Sequence, residues 1–371
     1  MAELTIPQNL LPADGRFGCG PSKIRSEQLT FLNSLQPNVL GTSHRQAAVK
    51  NLVASVREGL SDLFSAPEGY EILLANGGAT SFWDAAVHSL IEQRSQHLTF
   101  GEFGAKFGAA ASAAPWLKAP DIRSADAGSR SEAEATSGID VYAYPHNETS
   151  TGVMADVKRV HGDAGSLTVV DATSGAGGLF FDPNEVDVYY FSPQKNFASD
   201  GGLWFALVSP AAIERIERIA ASGRYIPETL SLMTAVTNSR QQQTLNTPAI
   251  ATLALMDEQV RWINEQGGLT WAAARTSQSS SVLYDWAERT QGASPFVTNP
   301  EHRSRVVVTI DFDDSIDASQ ISTILRHNGI VDTEPYRKLG RNQLRVATFT
   351  AIDPEDVQAL TECIDYVLEN V

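Results

Sequence analysis

Leu167-Thr-Val-Val-Asp171, Asp187-Val-Tyr-Tyr-Phe191-Ser-Pro-Gln-Lys195 and Leu203-Trp-Phe-Ala-Leu-Val208 are the three stretches whose reading decides the fold. Each is a short, nearly unbroken apolar run closed by polar turn residues. That pattern marks strands buried on both faces rather than strands with one wet side. Working outward, Tyr70-Glu-Ile-Leu-Leu74 runs into Asn76-Gly77-Gly78-Ala79-Thr80 and then a helical stripe of Phe82, Ala86 and Leu90. Leu98-Thr-Phe100 meets Gly101-Glu-Phe103 and another helical run, and Ile139 to Tyr144 ends in Pro145-His-Asn-Glu-Thr149. Strands alternating with helices predict an α/β domain with a mostly parallel sheet covered on both faces.

The pattern changes towards the C-terminus. Asn246-Thr247-Pro248 reads as a helix start with Asn246 as N-cap. Leu253, Met256, Val260 and Ile263 form one stripe, Gly267-Gly268 stops it, and a second helix follows from Trp271 to about Glu288. Val306 to Phe312 and Leu344 to Phe349 are strands, while Ala318 to His327 and Pro354 to Glu369 are helices. We expect a large α/β domain over 15–260, a small α+β domain over 261–371, and an extended arm over 1–14. Gly128 to Gly138 reads as an exposed loop.

Composition narrows the function. The 371 residues are 42% hydrophobic and 19% charged, enough apolar material for a large core and too much for wholesale disorder. No apolar run approaches the ~18 residues of a membrane helix, and the N-terminus has neither a basic patch nor an apolar segment of the secretory kind. A soluble, cytoplasmic protein without membrane contact is expected. Cys19 and Cys363 are too far apart for a metal or redox pair and read as buried small hydrophobes. The net charge of −16 argues against nucleic acid as a partner, though arginines focused in a cleft can still bind a small anion.

In such sheets, ligands bind at the carboxyl ends of the strands. The turn at 76–80 offers glycines and a helix N-terminus to a phosphate, but no GxxxxGK[ST] or GxGxxG is present. Asp171 ends one strand and Lys195 follows the next. Singly they read as a turn-capping acid and a solvated amine. Together they can reach one heteroaromatic ring, the acid keeping a pyridine nitrogen protonated and the amine forming a Schiff base.

Ser192-Pro-Gln-Lys195-Asn-Phe197 through Ser199-Asp-Gly-Gly202 resembles the lysine loop of fold-type I pyridoxal-phosphate enzymes, above all the class V aminotransferases. Ser43-His44-Arg45, Asn76 to Thr80, His146 to Gly152, Asp171-Ala-Thr-Ser174 and Asn246-Thr247-Pro248 follow in the family's order. The likeness runs from Gly18-Cys-Gly-Pro-Ser22 to the terminal helix.

The resemblance implies a fold-type I transferase, its large domain built on a seven-stranded type of sheet, with pyridoxal 5'-phosphate on Lys195 and no metal. Asp171 would pair with the ring nitrogen and Thr149 with the phenolic oxygen. Ala79, Thr80 and Gln194 would hold the phosphate, joined by Asn246 and Thr247 from the partner subunit of a homodimer. Phe103 stands where the family often stacks a tryptophan, which implies weaker cofactor retention. Arg345 would take the α-carboxylate, His44 and Arg45 the distal anion, with Arg337 and Arg341 as further contacts. The activity implied is ping-pong transfer of an amino group between glutamate and 3-phosphohydroxypyruvate in serine formation, with a phosphorylated ketoacid of pyridoxine synthesis as a side substrate. The alternatives are another class V enzyme, such as an alanine–glyoxylate transaminase or a cysteine desulfurase, or a non-enzymatic α/β binding module. Neither cysteine suits a desulfurase, which needs a mobile thiol.

Overall fold

The computed structural model describes residues 4–371; the first three residues of the expected arm lie outside the described residues. In chain order, the first half holds α1 (Ser26–Ser34), α2 (Ala47–Leu63), β1 (Glu71–Asn76), α3 (Ala79–Ser89), β2 (Ser95–Thr99), α4 (Glu102–Ala113), β3 (Asp121–Ser124), β4 (Val141–Pro145), β5 (Asn147–Glu148), β6 (Val153–Met154), β7 (Leu167–Asp171) and β8 (Val188–Phe191). The second half holds β9 (Leu203–Val208), α5 (Pro210–Ala220), α6 (Leu232–Arg240), α7 (Ile250–Gln266), α8 (Gly268–Arg289), β10 (Ala293–Pro295), β11 (Val307–Phe312), α9 (Ala318–His327), β12 (Gln343–Ala347) and α10 (Pro354–Asn370).

Seven strands form the main sheet in the order β1-β9-β8-β7-β4-β2-β3, and β9 alone runs against its neighbours. Because side chains alternate faces along a strand, each apolar run feeds two cores. Leu203, Phe205 and Leu207 of β9 join Tyr189 and Phe191 under α2 and α7. Trp204, Ala206 and Val208 join Val188 and Tyr190 under α3, α5 and α6. A second antiparallel sheet, β10-β11-β12, builds a third core with α9, α10 and the later part of α8. Ile6 and Phe17 pack into that core, and Ile6 N–H donates to Asn328 Oδ1 at 2.9 Å, so this N-terminal stretch sits on the second sheet.

Three sequence expectations need correction, and one edge strand has no counterpart in the sequence reading. The helix after Asn246 begins only at Ile250, flanked by Ala249, so Asn246 is not its N-cap. Pro248 favours extended backbone at Thr247, and the Asn246 N–H is instead donated to Asn76 Oδ1 at 3.2 Å. The next helix starts directly at Gly268 rather than at Trp271. β2 starts at Ser95, before the apolar Leu98. Its polar residues are buried with partners: Ser95 Oγ lies 2.8 Å from His97 Nε2, and Gln96 Nε2 donates to Asp121 Oδ2 at 2.7 Å. The edge strand β3 follows a half-exposed alternation without an apolar run.

Leu207 is fully buried in the middle of β9. Leu207→Ala should cost about 2–5 kcal/mol through lost burial and the cavity left behind, read as a lowered urea midpoint at unchanged slope.

Candidate active site

The carboxyl ends of β1, β4, β7 and β8 meet at one rim, where a cavity of about 280 Å³ opens. β1 hands the chain to α3 through Gly77, whose φ of +113° suits glycine and lets the helix turn sharply inward. Gly78 flanks α3 with no side-chain cap, and Ala79 and Thr80 of its first turn line the cavity. A first turn without a side-chain cap presents backbone N–H groups and the positive end of the helix dipole.

Asp171, the last residue of β7, enters from the floor. Its Oδ1 accepts from Thr173 N at 2.9 Å and Thr173 Oγ1 at 2.6 Å, and its Oδ2 accepts from Trp83 Nε1 at 3.3 Å. Burial pushes its carboxyl above the ordinary carboxylate range, with the Thr173 donors pulling the other way. These partners leave acceptor capacity on Oδ2 for a donor inside the cavity.

Lys195 follows β8 and is buried, its Nζ donating to the Cys19 carbonyl. Burial lowers its amine from 10.5 to about 8, and the Arg345 guanidinium pushes the same way, while Cys19, Asp171 and Glu148 oppose. The approach of Cys19 depends on Gly20, where a Cβ would stand 2.7 Å from Lys195 Cε. The wall carries Thr149, whose Oγ1 donates to Ser174 Oγ at 2.8 Å, and Phe103 from the first turn of α4. Arg345, on β12 of the second sheet, donates from Nη1 to the Thr149 carbonyl at 3.1 Å.

Of the sequence candidates, the cavity brings together Ala79, Thr80, Phe103, Thr149, Asp171, Gln194 and Lys195. It does not bring in Asn246, Thr247, His44 or Arg45. Those gather nearby instead: His44 Nδ1 lies 3.2 Å from Thr247 Oγ1, Arg45 donates to Gln243 Oε1 at 3.1 Å, and the Thr247 carbonyl accepts from Asn76. Arg337 is exposed on a loop whose Tyr336 ring faces Phe103 at 6.3 Å. Arg341 is spent on Asp311, with Nε donating to Oδ2 at 3.0 Å. Sequence reading missed Trp83, Asn147 and Ser174. Trp83 lies beside the apolar stripe of α3 and one turn after Ala79, the spacing that places both on one helix side.

Three buried polar atoms around the cavity have no hydrogen-bond partner among the described residues: Gln194 Oε1, Asn147 Oδ1 and Arg345 Nε. Buried polar atoms are ordinarily paired, so this set awaits a polar guest. Pyridoxal phosphate fits it, with an uncapped helix start for a phosphate, an acid for a ring N–H and an amine of lowered basicity for an aldehyde.

Residues 21–333 match the family model for class-V aminotransferases, and the chain belongs to that family. It is 61% identical over 365 residues to the phosphoserine aminotransferase of Corynebacterium glutamicum (strain R), covering 98% of this chain and 97% of that protein. Its fold is similar to a phosphoserine aminotransferase structure from Cytophaga hutchinsonii, with a TM-score of 0.87 at 21% identity, over 95% of this chain and 99% of that one. A PLP-bound phosphoserine aminotransferase from Trichomonas vaginalis gives a TM-score of 0.80 at 19% identity, again over 95% and 99%.

The lowered amine makes a stability prediction. Below about pH 8 folding must bury a charged Lys195, whereas above 10.5 the amine is neutral folded or unfolded. Between these limits the unfolded chain binds the extra proton, so this group's penalty fades as pH rises. In protein stripped of cofactor, Lys195→Met should therefore gain about 3 kcal/mol at pH 7. Urea denaturation should show that gain shrinking as the pH rises from 8 towards 10.5.

Proposed function

We propose that this chain is a pyridoxal-phosphate-dependent phosphoserine aminotransferase. It moves the amino group between L-glutamate and 3-phosphohydroxypyruvate, giving O-phospho-L-serine and 2-oxoglutarate in serine formation. The observation that carries the reading is the Lys195 amine and the Asp171 carboxylate lining one cavity from successive parallel strands. The choice of substrate is supported by the 61% identity to the Corynebacterium glutamicum protein of that name.

Bound there, pyridoxal phosphate supplies an aldehyde that condenses with amines and a protonated ring that draws electrons from the substrate Cα. The chain's own residues do the rest. Asp171 Oδ2 would hold the proton on the ring nitrogen, and Thr149 Oγ1 would serve the phenolic oxygen. The α3 backbone N–H groups and Gln194 would hold the phosphate. Lys195 Nζ, its basicity lowered by burial, would take the proton from the substrate Cα and carry it between Cα and C4′. Arg345 binds the α-carboxylate with the guanidinium edge that Thr149 leaves free.

His44, Arg45, Asn246 and Thr247 form a cluster apart from the cavity of their own chain, and we assign them to the site of a second copy. Asn246 and Thr247 would reach its phosphate site, while His44 and Arg45 would read the distal anion of the substrate. A homodimer with shared sites follows, and a cytoplasmic location accords with the absence, among the described residues, of any helix long and apolar enough to cross a membrane.

Purified protein given glutamate should aminate phosphohydroxypyruvate in preference to glyoxylate or pyruvate; a preference for glyoxylate would shift the reading to another class V transaminase. Lys195→Ala should lose the yellow absorption band and lower kcat by about 10³-fold or more. Arg45→Ala should raise KM for phosphohydroxypyruvate about tenfold while leaving the melting temperature in place, because an exposed charge adds little to stability.

A further inference from the structure

We propose that Glu148 is a positioning residue that acts through Phe103: its carboxylate caps α4 from outside the helix and thereby fixes where the Phe103 ring stands in the cavity. The inference rests on reading that cavity as the cofactor site.

Glu148 is fully buried, lying between the cavity residues Asn147 and Thr149, yet nothing proposed above for the reaction uses it. Its two oxygens are saturated. Oε2 accepts from the backbone N–H groups of Phe103 at 3.1 Å and Gly104 at 3.0 Å. Oε1 accepts from Ser150 N at 3.2 Å and Ser150 Oγ at 2.7 Å. Ser150 Oγ in turn accepts from Glu102 N at 3.0 Å. Thus the first three N–H groups of α4, left without a cap by Gly101, are satisfied by Glu148 at the end of β5 and Ser150 in the turn that also carries Thr149.

The packing is as tight as the bonding. A Cβ at Gly101 would stand 2.5 Å from Glu148 Cδ, so this glycine is required for space, its backbone being extended. Burial raises the carboxyl, while the Gly104 and Ser150 donors oppose that shift. A carboxylate at a helix N-terminus also gains from the helix dipole. Phe103 is one of the two residues bonded to Oε2, so its Cα cannot move without breaking this cap.

Glu148→Gln keeps the shape but turns an NH₂ towards one of the two donor pairs, because an amide nitrogen cannot accept. The start of α4 should loosen, and the ring with it. The rate of cofactor loss from diluted holoenzyme, followed by its visible absorption, reads this without turnover. E148Q should lose cofactor about tenfold faster than the parent, the size of a displaced aromatic contact. With Phe103→Ala already present, the same substitution should change the rate less than about twofold, since the contact it acts through is gone. Equal factors in both backgrounds would show that Glu148 acts through Thr149 or the fold at large and would overturn the assignment, as would an unchanged rate in E148Q. If E148Q fails to fold, Ser150→Ala strips one donor and the Glu102 acceptor while sparing the carboxylate, and should show a smaller acceleration that F103A likewise abolishes. A parent protein that takes up no pyridoxal phosphate overturns the proposed function itself, whereas one that binds it and ignores E148Q overturns this inference alone.

Discussion

Two groups of opposite charge, Lys195 and Asp171, are held out of water beyond and at the ends of adjoining strands, and neither tolerates burial without help. Desolvation works against both charges, lowering the amine to about 8 and raising the acid. What surrounds them answers that cost in different ways. The acid is wrapped in donors from Thr173 and Trp83, which keep it receptive to a positive partner. The amine meets one backbone carbonyl, that of Cys19, which holds it in place without restoring full solvation. The β7–β8 register sets Asp171 opposite Tyr190, so the spacing of the two groups follows from the sheet. Burial that would be a liability in a structural ion pair here moves the two groups towards each other's titration range, the pattern expected of a functional pair.

That rim also joins the two sheets. Arg345 leaves β12 to reach the Thr149 carbonyl, and Thr309 Oγ1 on β11 donates to the Thr151 carbonyl at 3.0 Å. Asn196, next to Lys195, donates to the Ser174 carbonyl at 2.8 Å and accepts from Thr350 N at 3.2 Å. Ser174 then orients Thr149. Thus the residue expected to meet the substrate carboxylate and the residue expected to meet the cofactor oxygen are positioned by one polar chain spanning both cores. Its links fix the two residues relative to each other, while the Arg345 Nε left without a partner keeps one donor available.

The long apolar strands were legible because burial on both faces leaves them little choice of residue, and β7, β8 and β9 lie where their sequence puts them. β2 and β3 were not, since their stability comes from paired polar groups such as Gln96 with Asp121, which resemble a surface segment when read in one dimension. The helix start at Asn246 was misplaced for a related reason: a residue with capping chemistry was recruited by Asn76 from a distant strand end. In the site, Lys195, Asp171 and Thr149 could be named because they follow strands. Trp83 and Ser174 could not, because their importance is set by what they touch. Glu148 lies within the His146 to Gly152 segment, and only its partners reveal that its carboxylate caps α4.

Net charge is a poor guide to what such a cavity attracts. The chain carries 44 acidic and 28 basic residues, yet the ligands proposed for it are anions. The acids nearest the cavity are already engaged. Glu148 accepts four hydrogen bonds, Asp171 is held by Thr173 and Trp83, and Glu102 pairs with Lys106 at 3.3 Å and with Lys338. Arg345 has a buried Nε with no partner among the described residues, and α3 begins without a cap. At contact distance, a free donor in a low-dielectric pocket outweighs distant surface charge that salt screens within about 8–10 Å. A strongly negative exterior and an anion-seeking interior are therefore compatible, because each is decided by a different set of neighbours.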